Sequence, residues 1–195
     1  MRITLRTLLL TGAIAWISAI ASGQTTSAPE PHELDLTFTY SPQLSNLVNG
    51  SNFWLQGGAL DLSAEFYHGL SIVANIATEY ASNINSSSSV NLTMVTTTFG
   101  PRYTWTPKNK LAVFGHGLIG EAFGLDSVFP SLRGAETDFN TLALQVGGGI
   151  DLRLSKHFGL RAVQADWVRT QFPNSTTNVQ NNLRLGAGII FRLQR

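Results

Sequence analysis

The chain has 195 residues, with 43% hydrophobic and only 13% charged side chains. That charge share is about half of what a soluble domain carries, so an ordinary water-exposed surface is hard to build from it. Lysine plus arginine is 13 against 12 acids and cysteine is absent. The near-neutral balance leaves no strong field to recruit nucleic acid or anionic lipid. The missing cysteine excludes disulfides, thiolate metal sites, a thiol nucleophile and a lipidated N-terminal Cys.

Residues 1–23 read as a cleaved signal peptide. Arg2 and Arg6 give a positive start, and Thr7 to Ile20 form an apolar stretch. Ala19-Ile20-Ala21 and Ala21-Ser22-Gly23 offer small-residue cleavage patterns, with cleavage favoured before Gln24. The apolar stretch is short for a membrane anchor. Residues 24–31 are a short lead-in, and 32–195 form a single domain. No later apolar run is long enough for a helical span, but a closed barrel can cross a bilayer with alternating strands of about 9–11 residues.

Period-two alternation predicts eight strands, near 32–41, 52–66, 70–81, 91–105, 111–123, 139–154, 159–169 and 181–193. Leu34, Leu36, Phe38 and Tyr40 alternate with Asp35, Thr37 and Thr39 in the first. Leu183, Leu185, Ala187, Ile189, Phe191 and Leu193 alternate with Asn182, Arg184, Gly186, Gly188 and Arg192 in the last. The fifth strand is ambiguous in face. Connections alternate too. Those at 42–51, 82–90, 124–138 and 170–180 are long and polar, and those after the second, fourth and sixth strands are short.

Long loops on one rim and tight turns on the other match an outer-membrane barrel. A soluble lipocalin-like barrel, with its apolar face inward, alternates equally well. Scarce charge, the signal peptide and aromatics at both strand ends favour the inverted arrangement. Tyr40, Trp54, Tyr80, Phe139 and Trp167 lie near the long loops; Phe66, Tyr103, Trp105, Phe158 and Phe191 lie near the short turns. The expected fold is an all-β, eight-stranded, antiparallel up-and-down transmembrane β-barrel, monomeric and surrounded by outer-membrane lipid.

Phe99-Gly100-Pro101-Arg102-Tyr103 and Gly188-Ile189-Ile190-Phe191-Arg192-Leu193 carry a family resemblance. The chain resembles the small outer-membrane barrels, comprising the OmpA-like transmembrane domain, OmpX and the opacity-type barrels, over about residues 32–193. The resemblance implies a bacterial outer-membrane location. It also implies that Gly188, Phe191 and Leu193 act as a C-terminal signal for the barrel-assembly machinery. The chain departs from the pattern in ending Gln194-Arg195 rather than on an aromatic. The peptidoglycan-binding domain of full OmpA-like proteins is not expected here.

Eight strands enclose an interior just wide enough for side chains. The expected inward charges are Asp35, Asp61, Glu65, Glu79, Asp151 and Asp166 against Arg102, Arg153, Arg184 and Arg192. Isolated charges there are costly, so they should pair. A last hairpin centred near Ser175 sets Asp166 opposite Arg184, the expected contact. Arg161 and Asp166 differ in parity, and a bulge near Ala162 would turn both inward. The network plugs the lumen or leaves a very narrow pore.

Gly115-His116-Gly117-Leu118-Ile119-Gly120 fits the G-x-G-x-x-G spacing, but a strand continues where a dinucleotide site needs a helix. The glycines there and at Gly147-Gly148-Gly149 read as close packing. His32, His68, His116 and His157 lack metal-ligand spacing, so neither a metal nor a cofactor is expected. The enzymatic alternative is a lipid-modifying barrel with His116 as base, Glu121 as its orienter, and Ser63 or Ser71 as nucleophile. That triad is unsupported by spacing, and no enzyme activity is expected. Leu44, Leu47, Phe129 and Leu132 in loops 42–51 and 124–138 offer apolar groups to a surface ligand.

Overall fold

The computed structural model describes residues 34–46, 52–82, 91–108, 110–131, 134–174 and 178–193. The expected signal peptide and lead-in, as well as Leu47, Leu132, Gln194 and Arg195, lie outside the described residues. The strands, in chain order, are β1 (Leu34–Tyr40), β2 (Gln43–Asn46), β3 (Asn52–Tyr67), β4 (Leu70–Ala81), β5 (Leu92–Lys108), β6 (Leu111–Leu125), β7 (Phe129–Ser131), β8 (Gly134–Glu136), β9 (Phe139–Arg153), β10 (Phe158–Thr170) and β11 (Gln180–Leu193).

These strands close into one antiparallel barrel. β1 pairs with both β3 and β11, so the sheet has no free edge. β2 continues β1 past Ser41-Pro42 and pairs with the same two neighbours. Counted this way the barrel has eight staves, and the expected loop 42–51 gives its first residues to a longer first stave. β7 and β8 pair separately as a small hairpin within the segment between β6 and β9.

The register sets the barrel's shape. A row of paired residues runs Glu121, Thr97, Ile76, Leu60, Phe38, Ile189, Leu160, Leu152, Leu111. It returns to β6 ten residues from where it began. With eight staves this shear tilts the strands by about 40°. At that tilt the ten residues from Tyr80 to Leu70 on β4 rise about 25 Å, the height of an outer-membrane apolar band.

Burial alternates along each stave, and its sense is inverted relative to a soluble barrel. On β4, Ser71, Val73, Asn75, Ala77 and Glu79 face inward and are buried, whereas Ile72, Ile76 and Tyr80 are exposed. The fifth predicted strand, ambiguous in sequence, turns Ala112, Phe114, His116, Leu118 and Ala122 inward. Register also shifts on β10, between Arg161 and Gln164 against β11 and between Arg161 and Val163 against β9. This bulge changes the parity of the strand, so Arg161 and Asp166 both reach the interior.

The short turn between β3 and β4 has positive φ at His68 (35°) and Gly69 (83°), the backbone of a two-residue hairpin loop of type I′. Glu65 accepts a hydrogen bond from the Gly69 N–H at 2.8 Å. Its carboxylate therefore serves this turn rather than the lumen network in which it was expected.

Inward glycines make room for large neighbours. A Cβ on Gly149 would lie 2.9 Å from ring carbons of Phe114, its partner in register. One on Gly147 would lie 1.9 Å from Asp166 Oδ1 and 2.4 Å from the Ala165 carbonyl oxygen. Gly117 faces outward with nothing within 4 Å of such a Cβ. Gly147→Ala is expected to lower the folded yield sharply and Gly117→Ala to leave it unchanged, read as the compact unheated band in detergent electrophoresis. Equal yields would contradict the packing role.

Candidate functional site: a filled polar lumen

The lumen is stratified. Its centre is built on Asp61 of β3, 1% exposed. Arg102 Nη2 of β5 and Arg161 Nη1 of β10 both reach Asp61 Oδ2, at 2.8 and 2.6 Å. Asn75 Nδ2 donates to Asp61 Oδ1 at 2.6 Å. Arg161 turns its other edge to Asp151 of β9, with Nε to Oδ1 at 3.0 Å and Nη2 to Oδ2 at 3.2 Å. This bidentate fork is the geometry that suits guanidinium best. The Phe114 ring lies against both cations, 4.6 Å from Arg102 Cζ and 4.4 Å from Arg161 Cζ, adding cation–π attraction in a desolvated site.

Closer to the long loops, Asp166 accepts hydrogen bonds from Gln145 Nε2 at 2.8 Å and Gln164 Nε2 at 2.6 Å. His116 Nε2 lies 3.0 Å from Asp166 Oδ1, and its Nδ1 lies 3.5 Å from Arg102 Nη2. With a carboxylate on one side and a guanidinium on the other, Nε2 donates and Nδ1 is the acceptor. Gln164 Oε1 accepts from Arg161 Nη1 at 2.9 Å and joins this layer to the centre.

In the next layer Arg184 of β11 pairs with Glu79 of β4 at 2.8 Å and donates to Thr96 Oγ1 at 2.8 Å and Gln43 Oε1 at 3.2 Å. Asp166 and Arg184 are direct partners in register, as expected. No ion pair forms between them: Asp166 is held by Gln164 on its own strand, Gln145 on the neighbouring β9 and His116 on β6, and Arg184 turns to Glu79, Thr96 and Gln43. Near the turn rim, Arg192 lies 3.8 Å from Asp35, and Arg153 is half-buried.

The long-loop mouth is closed differently. Leu55, Ala81, Met94, Ala122, Phe129, Ala143 and Phe172 form an apolar cluster over the polar layers. Phe129 comes from the β7–β8 hairpin and stacks on Phe172 at 5.3 Å. The expectation that Phe129 is an exposed contact residue is thus overturned: burying its ring inside the mouth removes it from water. Phe139 packs against the same cluster instead of joining the outer aromatic belt. Leu44 lies on the outer wall, paired with Trp54 and Leu183.

The sequence-derived inward set omitted Arg161, the residue that joins two carboxylates, because simple parity put it outside. It also passed over the amides Asn75, Gln145 and Gln164 and the ring of Phe114. The signal for Arg161 was the parity conflict with Asp166, which a bulge resolves. His116 and Glu121 cannot form a base–orienter pair, since His116 is buried inward and Glu121 faces out. Ser63 and Ser71 are buried toward the turn end, without a hydrogen bond to His116. Among the described residues no group of three acids or histidines could hold a metal.

The proposed assembly-signal residues lie on the last stave. Phe191 packs edge-on against Phe38 and Phe158, at 6.0 and 5.4 Å. A Cβ on Gly188 would lie 1.9 Å from the Phe38 carbonyl oxygen, so that position takes no side chain. Leu193 is exposed on the outer wall.

The outer wall carries Phe38, Ile72, Ile76, Phe99, Ile119, Val146, Val163 and Ile189, all at least 46% exposed. Trp54, Tyr80 and Trp167 stand at the long-loop end of this band, and Phe66, Tyr67, Tyr103, Trp105 and Phe158 at the turn end. Solved structures share the fold. The Ail attachment invasion locus protein of Yersinia pestis, solved with the heparin analogue sucrose octasulfate, aligns with a TM-score of 0.58 and 16% identity over 84% of this chain and 100% of its own. Neisserial surface protein A aligns with a TM-score of 0.62 and 10% identity over 82% of this chain and 97% of its own. The chain has the fold of the small eight-stranded outer-membrane barrels. No family model and no curated protein matches it.

Asp61→Asn leaves two buried guanidiniums with one carboxylate fewer, and should cost about 3–5 kcal/mol in urea unfolding of the refolded barrel. A double-mutant cycle should give a larger coupling for Glu79 with Arg184 than for Asp166 with Arg184. The reverse order would contradict the pairing described.

Proposed function

We propose that this protein is an integral β-barrel of a bacterial outer membrane, with a structural or surface-contact role and a plugged lumen. One observation carries the reading: the barrel is inverted, with its ion pairs inside and an apolar band about 25 Å tall outside between aromatic belts. Such a wall has no place in water, and a soluble lipocalin-like barrel would turn it inward. Short turns then face the periplasm and long loops the exterior. The barrel-assembly machinery is the partner in biogenesis, with Gly188, Phe191 and Leu193 as the recognised signal.

Occupied lumen side chains support a plug over a pore. His116, held between Asp166 and Arg102, takes a structural part in the lumen network in this reading. Contact with surface molecules falls to the polar parts of the long loops, since Phe129 is spent in sealing the mouth.

After expression in a Gram-negative host, the protein should fractionate with the outer membrane and run more compactly before boiling than after in detergent electrophoresis. Recovery from the soluble periplasm would overturn the membrane reading. In planar bilayers the purified barrel should give flat current, and regular conductance steps would overturn the plug.

A further inference from the structure

The chain contains three lysines, Lys108, Lys110 and Lys156. All three lie on two turns of the short-turn rim, the one joining β5 to β6 and the one joining β9 to β10. These turns are side by side: Leu111 pairs with Leu152, and the Arg153 N–H donates to the Lys110 carbonyl at 2.8 Å. Lys110 and Lys156 are exposed, and neither has an ion-pair partner among the described residues. His157 is exposed beside Lys156.

Among the described residues, the acids nearest this rim are engaged elsewhere. Asp151 is forked by Arg161, Glu65 caps the Gly69 N–H, and Asp35 faces Arg192. Exposed acids collect at the opposite end, at Asp126, Glu136 and Asp138. Beside the lysine turns stand Trp105, Leu154 and Phe158, 60%, 67% and 50% exposed. Aromatic rings of this kind mark the depth of lipid headgroups.

We propose that the paired turns bearing Lys108, Lys110 and Lys156 form a docking surface for anionic glycerophospholipid headgroups in the leaflet on the short-turn side. Lys110 and Lys156, exposed on one arc of the rim with no ion-pair partner among the described residues, match a layer of phosphodiester anions, and Lys108 adds a third lysine to the same hairpin in sequence. The flanking Trp105, Leu154 and Phe158 lie against the acyl chains of the same lipids. An arc so placed would enrich anionic lipid on one side of the barrel. The inference rests on the membrane reading above.

Its test uses Trp105 as a local reporter. In W16F/W54F/W167F it is the remaining indole, next to the lysine turns. The variant is reconstituted into phosphatidylcholine vesicles containing either brominated phosphatidylglycerol or brominated phosphatidylcholine. Trp105 quenching should show a preference for phosphatidylglycerol of at least about threefold at low ionic strength. Adding K108Q/K110Q/K156Q should remove the preference. A Trp54 reporter at the other rim (W16F/W105F/W167F) should show none in either background.

Equal quenching by the two lipids would overturn the proposal while leaving the barrel in the membrane. A preference that survives the triple glutamine change, or an equal preference at Trp54, would also overturn it. No quenching by either lipid would sink the membrane reading itself. If the glutamine variant fails to give the compact unheated band, the parent decides by salt. The preference should fade toward 1 M salt, where screening acts within about 3 Å, and its persistence there overturns the proposal.

Discussion

A guanidinium inside an eight-stranded barrel has no bulk water to retreat to, and its cost is met by carboxylates or not at all. Arg161 embodies that constraint. It is 1% exposed and bonded to Asp61, Asp151 and Gln164. Satisfying it requires a bulge on β10 to turn it inward, a glycine at position 149 to admit the Phe114 ring beneath it, and two acids delivered by β3 and β9. Each depends on the closed register around the barrel. The ion network and the closure of the sheet are therefore one device, since neither set of partners would meet in an open sheet.

The two ends of the molecule solve different problems. At the mouth, Phe129 and Phe172 cover the polar layers with an apolar lid, and the hairpin carrying Phe129 is held by the ring it buries. At the turn rim, polar groups are satisfied locally, by the Glu65 carboxylate at Gly69 and by the Ser155 hydroxyl accepting the His157 and Phe158 N–H groups at 3.2 and 3.0 Å. Lys110 and Lys156 are exposed there, without an ion-pair partner among the described residues. The charge pattern thus runs from acidic loops through a paired interior to a basic rim.

Low total charge follows from this arrangement. Half of every stave faces the apolar band and carries almost none, with Glu121 and Arg169 as outward exceptions near the long-loop end. The interior charges are few because the lumen is narrow, and each occupies space that glycines such as Gly147 and Gly149 leave open.

Alternation along the chain determined the eight staves, their boundaries to within a few residues, and which face of most strands holds the charges. It also placed Asp166 opposite Arg184, because hairpin register is local arithmetic. What it could not determine is which charge meets which. Ion pairs here join strands far apart in sequence, such as Arg161 to Asp61 and Arg184 to Glu79, and that matching depends on shear and closure, properties of the whole barrel. The fate of Phe129 was likewise decided by the tertiary structure alone. An apolar residue in a polar loop can stay exposed or fold back, and only the size of the apolar mouth beneath it sets the outcome.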